Sequence, residues 1–580
     1  MHDTSQPPPH PLLRHMFGGF GLTMLIVLYL LPGVIGHDPW RGDDVQHFNA
    51  IWGVVTGHHV LLPTMVDEPI TNHGPLYYWI GALFAFLFGS LLPLHDATRL
   101  ATPFLIGLSI FWVARTASRL YGKHTRTAAA LLMLGTLGLV IHAHEHQPLA
   151  ALMMAQALTL AGMSLIPTHP LKGSLQAGAG TALAFMAGGL GGLFMTLPLF
   201  LLITLFCPQC HTPRTSGAII PGLTLALLGA AAWPFALNQQ APEQLTLWWE
   251  GAWGRLGRPL ELNELPEVLE LTSWFVWPLW PIALWALWRA RRQLRDLSWA
   301  LPGSAFALAL AWIGLRGSTS PEAMLPLIVP LALLAAAGVP SLRRGAANAF
   351  DWFAIMTFAV FAILVWLAWS AQTVAWPPGL ARSLARMAPE FVLQPNPAQI
   401  ALGAAICVIW IGLVWLLPRS VNRGPANWAM GMTMLWCLAV TLLMPWFDHS
   451  RNYRPMVQSA AIALAGEPDG CVASLGLSSS HRAAFDYFGG LRPGEIDAYE
   501  TACRFLLIHD DRFPDGLTPT ASWQLIWEYR HAGGKRLETF RLYRRDPDPM
   551  RNAQSAPAMT LQPFQPYIRQ APGMPLPGAK

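Results

Sequence analysis

Charge is what this 580-residue chain lacks. Asp, Glu, Lys and Arg make up 12% of it, about half the roughly 25% usual for a soluble globular domain, so a water-soluble fold is excluded. Cysteine is also scarce: six residues in this length cannot staple a small secreted scaffold. The net charge of +5 is small and sits in short loops, so it bears on membrane orientation, and no nucleic-acid partner is expected. What the chain has instead is 53% hydrophobic residues, with 26 Trp and 27 Phe. The run from Phe17 to Gly36 carries no charge over 20 residues, the length needed to cross a ~30 Å hydrocarbon layer. The composition is that of a polytopic all-α membrane protein with membrane lipids as its surroundings.

The first apolar run is too long for the core of a cleaved signal peptide, and no small-x-small site precedes His37, so it reads as a retained span after a cytoplasmic tail, 1–16. Further charge-poor segments lie at about 75–93, 103–120, 127–144, 149–166, 175–190, 192–206, 219–236, 271–288, 298–315, 323–340, 350–376, 399–418 and 426–446. Basic loops, among them Arg115, Arg119, Lys123 and Arg126, and Arg289, Arg291, Arg292 and Arg295, are expected in the cytoplasm. Counting crossings from the two ends disagrees by one. The segment 75–93, which opens on Pro75-Leu76-Tyr77-Tyr78-Trp79, an aromatic cluster suited to the interface, is the one expected not to span, leaving about 13 transmembrane helices in a module over 17–446.

Two loops on the outer side, 37–74 and 237–270, are longer than connectors need to be. The first holds Asp43, Asp44, Asp67 and Glu68 beside five histidines, and Val45–Val55 has the pattern of a helix lying on the bilayer surface. After Trp446 the composition changes. Strand-like runs at Cys471–Leu477, Cys503–His509, Trp523–Tyr529 and Glu538–Tyr543, with a helical stretch around His481–Phe488, predict a small external C-terminal α/β domain over 447–545. A Pro-rich tail, 546–580, follows it. Cys471 and Cys503 open two of these strands, where a disulfide is permitted.

Gly42-Asp43-Asp44, six residues past the first span, is the sharpest local signal. Carboxylates so close to hydrocarbon are costly unless they meet water, a cation or a functional partner. The plain reading is a solvated pair at a helix start, where Asp is favourable by about 0.3–1 kcal/mol.

The order Gly42-Asp43-Asp44, Thr56-Gly57-His58-His59-Val60-Leu61-Leu62-Pro63, Gly74-Pro75-Leu76-Tyr77-Tyr78-Trp79 and Phe88-Gly89 resembles the first external loop of the lipid A aminoarabinose transferases and protein O-mannosyltransferases. The likeness runs on through Arg99-Leu100, Leu120-Tyr121-Gly122 and Arg316 to Pro326, covering roughly 15–340. Those families are polytopic GT-C glycosyltransferases that use polyprenyl-phosphate sugars. The resemblance implies a GT-C fold, a polyprenyl-phosphate-linked sugar donor and a lipid, glycan or protein acceptor. It implies Asp43 as general base with Asp44 beside it, and Arg316, His73, Glu322 and Tyr77 around the donor phosphate. It also implies a bacterial inner-membrane protein with undecaprenyl phosphate as carrier and the C-terminal domain in the periplasm.

The chain departs from the family at three places. His73-Gly74 stands where a Lys-Pro pair is usual, His146-Gln147-Pro148-Leu149, with Glu145 adjacent, stands for Asp-x-Pro-Leu, and Thr196-Leu197-Pro198 takes the place of a Lys-Gly-Pro element. In His142-Ala143-His144-Glu145-His146, a helix would set His142, Glu145 and His146 on one face, a spacing able to hold a divalent metal ion; headgroup hydrogen bonding is the other reading. Cys207-Pro208-Gln209-Cys210-His211 matches a haem-attachment pattern but falls on the cytoplasmic side, and is read as incidental. Two rivals to the transferase reading stay open: a relative that binds a glycolipid without turning it over, and a lipid or solute transporter. Against the transporter, the charges cluster at segment ends rather than at mid-bilayer.

Overall fold

The computed structural model describes residues 19–66, 68–206, 208–210, 212–254, 256, 259–388, 391–467, 470–495, 502–509, 523–532 and 537–545. The N-terminal tail, Asp67, Cys207, His211 and the Pro-rich tail lie outside the described residues. Among those described, eight helices are long and apolar enough to cross a membrane: Leu94–Tyr121, Pro170–Ile203, Pro213–Gln240, Leu297–Arg316, Pro321–Ser341, Arg344–Thr373, Pro397–Leu416 and Arg423–Arg451. Four shorter apolar ones, Gly19–Leu30, Leu76–Phe88, Thr125–Leu134 and Leu149–Leu165, join them. The chain is a multi-pass membrane protein.

Three breaks in the helices shape the site. The helical run Pro170–Phe206 contains Gly189 at φ 56°, ψ −135°, a conformation open to glycine and costly for other residues. The chain reverses there: a Cβ on Gly192 would lie 1.8 Å from the Ala184 carbonyl oxygen, although eight residues along a straight helix span about 12 Å. The candidates 175–190 and 192–206 are therefore two antiparallel limbs of one hairpin. A second break follows Phe88, where Leu76–Phe88 stops after 13 residues and the short helix Leu94–Arg99 begins soon after. Tyr77 bonds the Thr102 hydroxyl at 2.7 Å, and Thr98 and Arg99 of the following helix contact His146 and Asp44. The remaining break is shared. The candidate 127–144 is interrupted after Leu134 and 271–288 after Phe275, and the Leu137 and Gly138 N–H groups donate to the Trp277 and Phe275 carbonyls at 3.0 and 2.8 Å. In a membrane such backbone groups must be satisfied within the protein.

The helix Asp43–Val55 begins after Gly42, whose φ is 91°. Its apolar positions Val45, Phe48 and Ile51 recur every third residue and are all fully buried. This corrects the expectation of a helix resting on the bilayer: its apolar face packs against Leu76–Phe88, Leu94–Arg99 and the helix Ser479–Gly489 of the C-terminal domain. In the other long loop, Trp248 is fully buried against Gly189, while Trp249 and Trp253 stay exposed.

The C-terminal domain is an α/β unit with a five-stranded sheet in the order Gly494–Glu495, Val472–Leu475, Phe505–His509, Leu537–Arg545, Trp523–Ala532. The first three strands are parallel and the last two antiparallel. Cys471 and Cys503 form a disulfide. Val45 of the loop helix belongs to the same apolar core as Val457, Phe485, Phe505 and Phe540, so loop and domain are packed as one body. Polar contacts tie them as well: Asn49 Nδ2 donates to Asp486 Oδ2 at 2.8 Å, Arg482 meets Glu68 at 2.6 Å and Arg454 pairs with Asp38.

Candidate active site

Asp43 and Asp44 open the helix Asp43–Val55. Asp44 turns inward and is 1% exposed. Its carboxylate accepts from the Trp40 and His146 backbone N–H groups, both at 2.8 Å, and lies 2.6 Å from His146 Nδ1 and 3.3 Å from Arg99 Nη2. Burial by itself would raise its pKa, but the Arg99 guanidinium and His146 more than offset this and hold Asp44 ionised, well below the usual carboxylate range. Arg99, 0% exposed, also donates to Asp96 and to the Val34 and His37 carbonyls. The residue marked by sequence as part of the reacting pair is thus a saturated strut. It pins the first loop, the helix Leu94–Arg99 and the segment around His146 to one another.

Asp43 is half-buried and makes no hydrogen bond or ion pair among the described residues. Burial pushes its pKa up to about 6, helped by the carboxylates of Glu322 and Glu145 and opposed by His142. Glu322 follows Pro321 at the start of the apolar segment Pro321–Ser341, just after the helix Leu297–Arg316 ends at Arg316. Its carboxylate acts electrostatically on both Asp43 and Arg316. Arg316 also has no hydrogen-bonding or ion-pair partner among the described residues; its guanidinium lies 6.0 Å from the Trp312 ring.

Arg316 and Glu322 line a cavity of about 90 Å³ together with His73, Asn72, Ser318 and Ser320, several times the ~10–15 Å³ that a single water needs. Gly188, Gly191 and Trp312 also line it. A Cβ on Gly191 would crowd the Trp312 ring, and one on Gly74 would crowd the Met186 carbonyl oxygen, so neither position has room for a side chain.

Three of the four residues expected at the donor phosphate, Arg316, His73 and Glu322, therefore meet in one cavity. Tyr77 does not line it. Tyr77 is fully buried, with its hydroxyl bonded to Thr102 and accepting from the Gln147 N–H at 3.1 Å. The expected metal set is also split. The helix Leu139–His142 ends at His142, so His142 and His146 do not share a helical face. His146 commits Nδ1 to Asp44 and faces the Thr98 hydroxyl with Nε2 at 2.9 Å. His142 Nδ1 instead pairs with Glu145 Oε1 at 2.6 Å, and both act electrostatically on Asp43.

The sequence assigned no role to Arg99, named only within the Arg99-Leu100 motif, or to Asn72, Ser318 and Ser320. Arg99 had a visible signal: Asp96 stands three residues before it in a short helix behind Pro93, the spacing of an ion pair on one face. The two serines carried none.

No protein-family model matches the sequence, and no curated protein matches it. Solved structures do match. ArnT from Cupriavidus metallidurans bound to undecaprenyl phosphate superposes with a TM-score of 0.64 at 16% identity, over 90% of this chain and 98% of that one. The same protein in the apo state gives 0.62 at 15% identity, over 90% and 96%. The archaeal oligosaccharyltransferase AglB from Archaeoglobus fulgidus, in complex with an inhibitory peptide and a dolichol-phosphate, gives 0.43 at 11% identity, over 81% and 63%. The chain has the GT-C membrane fold with a small C-terminal α/β domain.

Proposed function

We propose that the protein is an integral-membrane glycosyltransferase that moves a sugar from a polyprenyl-phosphate carrier to an acceptor hydroxyl. The observation that carries the proposal is an Asp43 without a side-chain partner among the described residues and with a pKa raised to about 6, and a similarly unpartnered Arg316 that lines a cavity, the Glu322 carboxylate acting electrostatically on both. The undecaprenyl phosphate bound by ArnT, which shares the fold, supports a lipid phosphate as the donor's carrier.

The acceptor hydroxyl is a poor nucleophile until its proton is taken, and a positioned base contributes about 10²–10⁴ in rate, or 2.7–5.5 kcal/mol. Asp43 supplies that base. The acceptor oxygen bonds to the anomeric carbon as the bond from that carbon to the phosphate oxygen breaks, in one inverting displacement. The electron pair leaves on the lipid phosphate, and the acceptor proton passes to Asp43. Charge grows on the phosphate as the bond breaks, and Arg316, with two parallel N–H groups, meets it. Glu322 orients Arg316, and Ser318, Ser320, Asn72 and His73 offer further polar contacts. His142 and Glu145 tune the field at Asp43; no step is assigned to a metal ion there. The acceptor class is a lipid, glycan or protein hydroxyl. The proposed setting is the bacterial inner membrane with the site on the periplasmic face.

The test is transfer of labelled sugar from a synthetic undecaprenyl-phosphate-linked donor by the purified protein, alongside mass spectrometry of the lipid that co-purifies. Turnover that depends on Asp43 supports the proposal. A bound glycolipid with no transfer to any acceptor extract supports the binding-only alternative and overturns it.

A further inference from the structure

A second cluster of ionisable groups lies outside the cavity, where the C-terminal domain meets the loop that carries Asp43. His509 ends the strand Phe505–His509, and Glu538 is the second residue of the neighbouring strand Leu537–Arg545. His509 pairs with Phe540, and Glu538, two residues earlier, projects to the same side of the sheet. His481 is the third residue of the helix Ser479–Gly489. One ligand atom from each of the three lies within 4.8 Å of the others, and His481 Nε2 is 3.9 Å from Glu538 Oε2. Both histidines are buried, at 4% and 6% exposure, and the Glu538 side chain is 14% exposed.

We propose that His481, His509 and Glu538 bind a zinc ion that fastens the C-terminal domain beside the Asp43 loop. Two imidazoles and one carboxylate form a donor set suited to tetrahedral zinc with a fourth position open, whereas calcium and magnesium favour all-oxygen sets. Bonds of about 2.0–2.2 Å to the metal bring ligand atoms to roughly 3.3 Å from one another, a contraction that side-chain rotation supplies. The surroundings hold the ligands in place. His481 Nδ1 accepts from the Ser478 backbone N–H at 3.2 Å and lies 3.0 Å from Ser478 Oγ, contacts that hold the ring at the helix start with Nε2 3.9 Å from Glu538 Oε2. The His509 ring stacks on Phe540 with centroids 4.7 Å apart. The Tyr453 hydroxyl sits 2.9 Å from His481 Nε2 and donates to Glu538 Oε2 at 3.3 Å, bridging two of the three ligands. The other Glu538 oxygen is 3.6 Å from Arg41, two residues before Asp43. An ion here ties two strands and a helix to the segment leading into the reacting carboxylate, and its binding free energy adds to folding.

The inference is independent of sugar transfer and is read without it. Full-length protein in detergent is loaded with zinc chloride, desalted and analysed for metal content, with thermal unfolding followed in parallel. The expected result is about one zinc per chain, retention reduced about tenfold or more in His509→Ala and Glu538→Gln, and a lower unfolding midpoint for wild type in EDTA. If wild type retains no zinc and its midpoint ignores both zinc and EDTA, the cluster is only a hydrogen-bonded network and the proposal fails. Wild-type zinc content in both variants also overturns it, by placing the ion elsewhere. Should the variants not fold, the wild-type titration alone decides.

Discussion

Asp43 and Asp44 are consecutive residues about 100° apart around the helix that they begin, and that angle gives them opposite roles. Asp44 is enclosed by Arg99, His146 and two backbone N–H groups. Asp43 is under the electrostatic influence of Glu322, Glu145 and His142, with no side-chain partner among the described residues. The ionised strut fixes the first turn of the helix, and the raised carboxyl next to it is held where a proton can be received.

Replacing Asp43 by Asn removes the base and keeps the shape. Sugar transfer is expected to fall by about 10²–10⁴, with little change in thermal unfolding because no bond of Asp43 is lost. Undiminished transfer in this variant would show that another group takes the proton.

The pH profile follows from the raised pKa. Asp43 accepts a proton only when ionised, so the rate should fall about tenfold per pH unit below a limb near pH 6. After burial, the Glu322 carboxylate contributes most to that rise, and Glu322→Gln should move the limb to lower pH. A limb that stays put in the variant would remove Glu322 from the field at Asp43.

Arg316→Ala should weaken donor use by roughly 1.5–3 kcal/mol, about 10–150-fold, the worth of a hydrogen bond to a charged group. Arg316→Lys should recover only part of it, since an ammonium cannot bind two phosphate oxygens in parallel. Donor-concentration series for the three proteins check this; equal KM and kcat in all of them would place the phosphate elsewhere.

Asp44→Ala takes one of its two carboxylate partners from buried Arg99 and the acceptor from His146 and two backbone N–H groups, and breaking a buried pair typically costs about 3–5 kcal/mol. Its effect should appear in thermal unfolding before activity is assayed. The sign of the pH dependence also follows. Asp44 has a folded-state pKa below its unfolded value of about 3.9, so its stabilisation is complete above pH ~5 and is lost as acid takes the pH down through the folded value. A variant as stable as wild type at neutral pH would contradict the strut.

Much of this was legible in the chain alone. Runs without charge specify membrane spans because hydrocarbon excludes ions whatever the fold. Alternation after Trp446 marked the strands Phe505–His509 and Leu537–Arg545 within a residue or two, and Asp43 stood out as a carboxylate too near lipid to be idle. Other features depended on partners far away in sequence. That Val45, Phe48 and Ile51 meet protein rather than lipid depends on the helices Leu94–Arg99 and Ser479–Gly489, and an apolar face reads the same in either setting. That His146 turns from a metal-like motif to Asp44 depends on a contact across 102 residues. The sequence by itself determined which segments leave water and which chemical groups are at hand; only the tertiary structure decided which of two adjacent aspartates is enclosed and which is left open, because local periodicity encodes burial but not the identity of what lies on the other side.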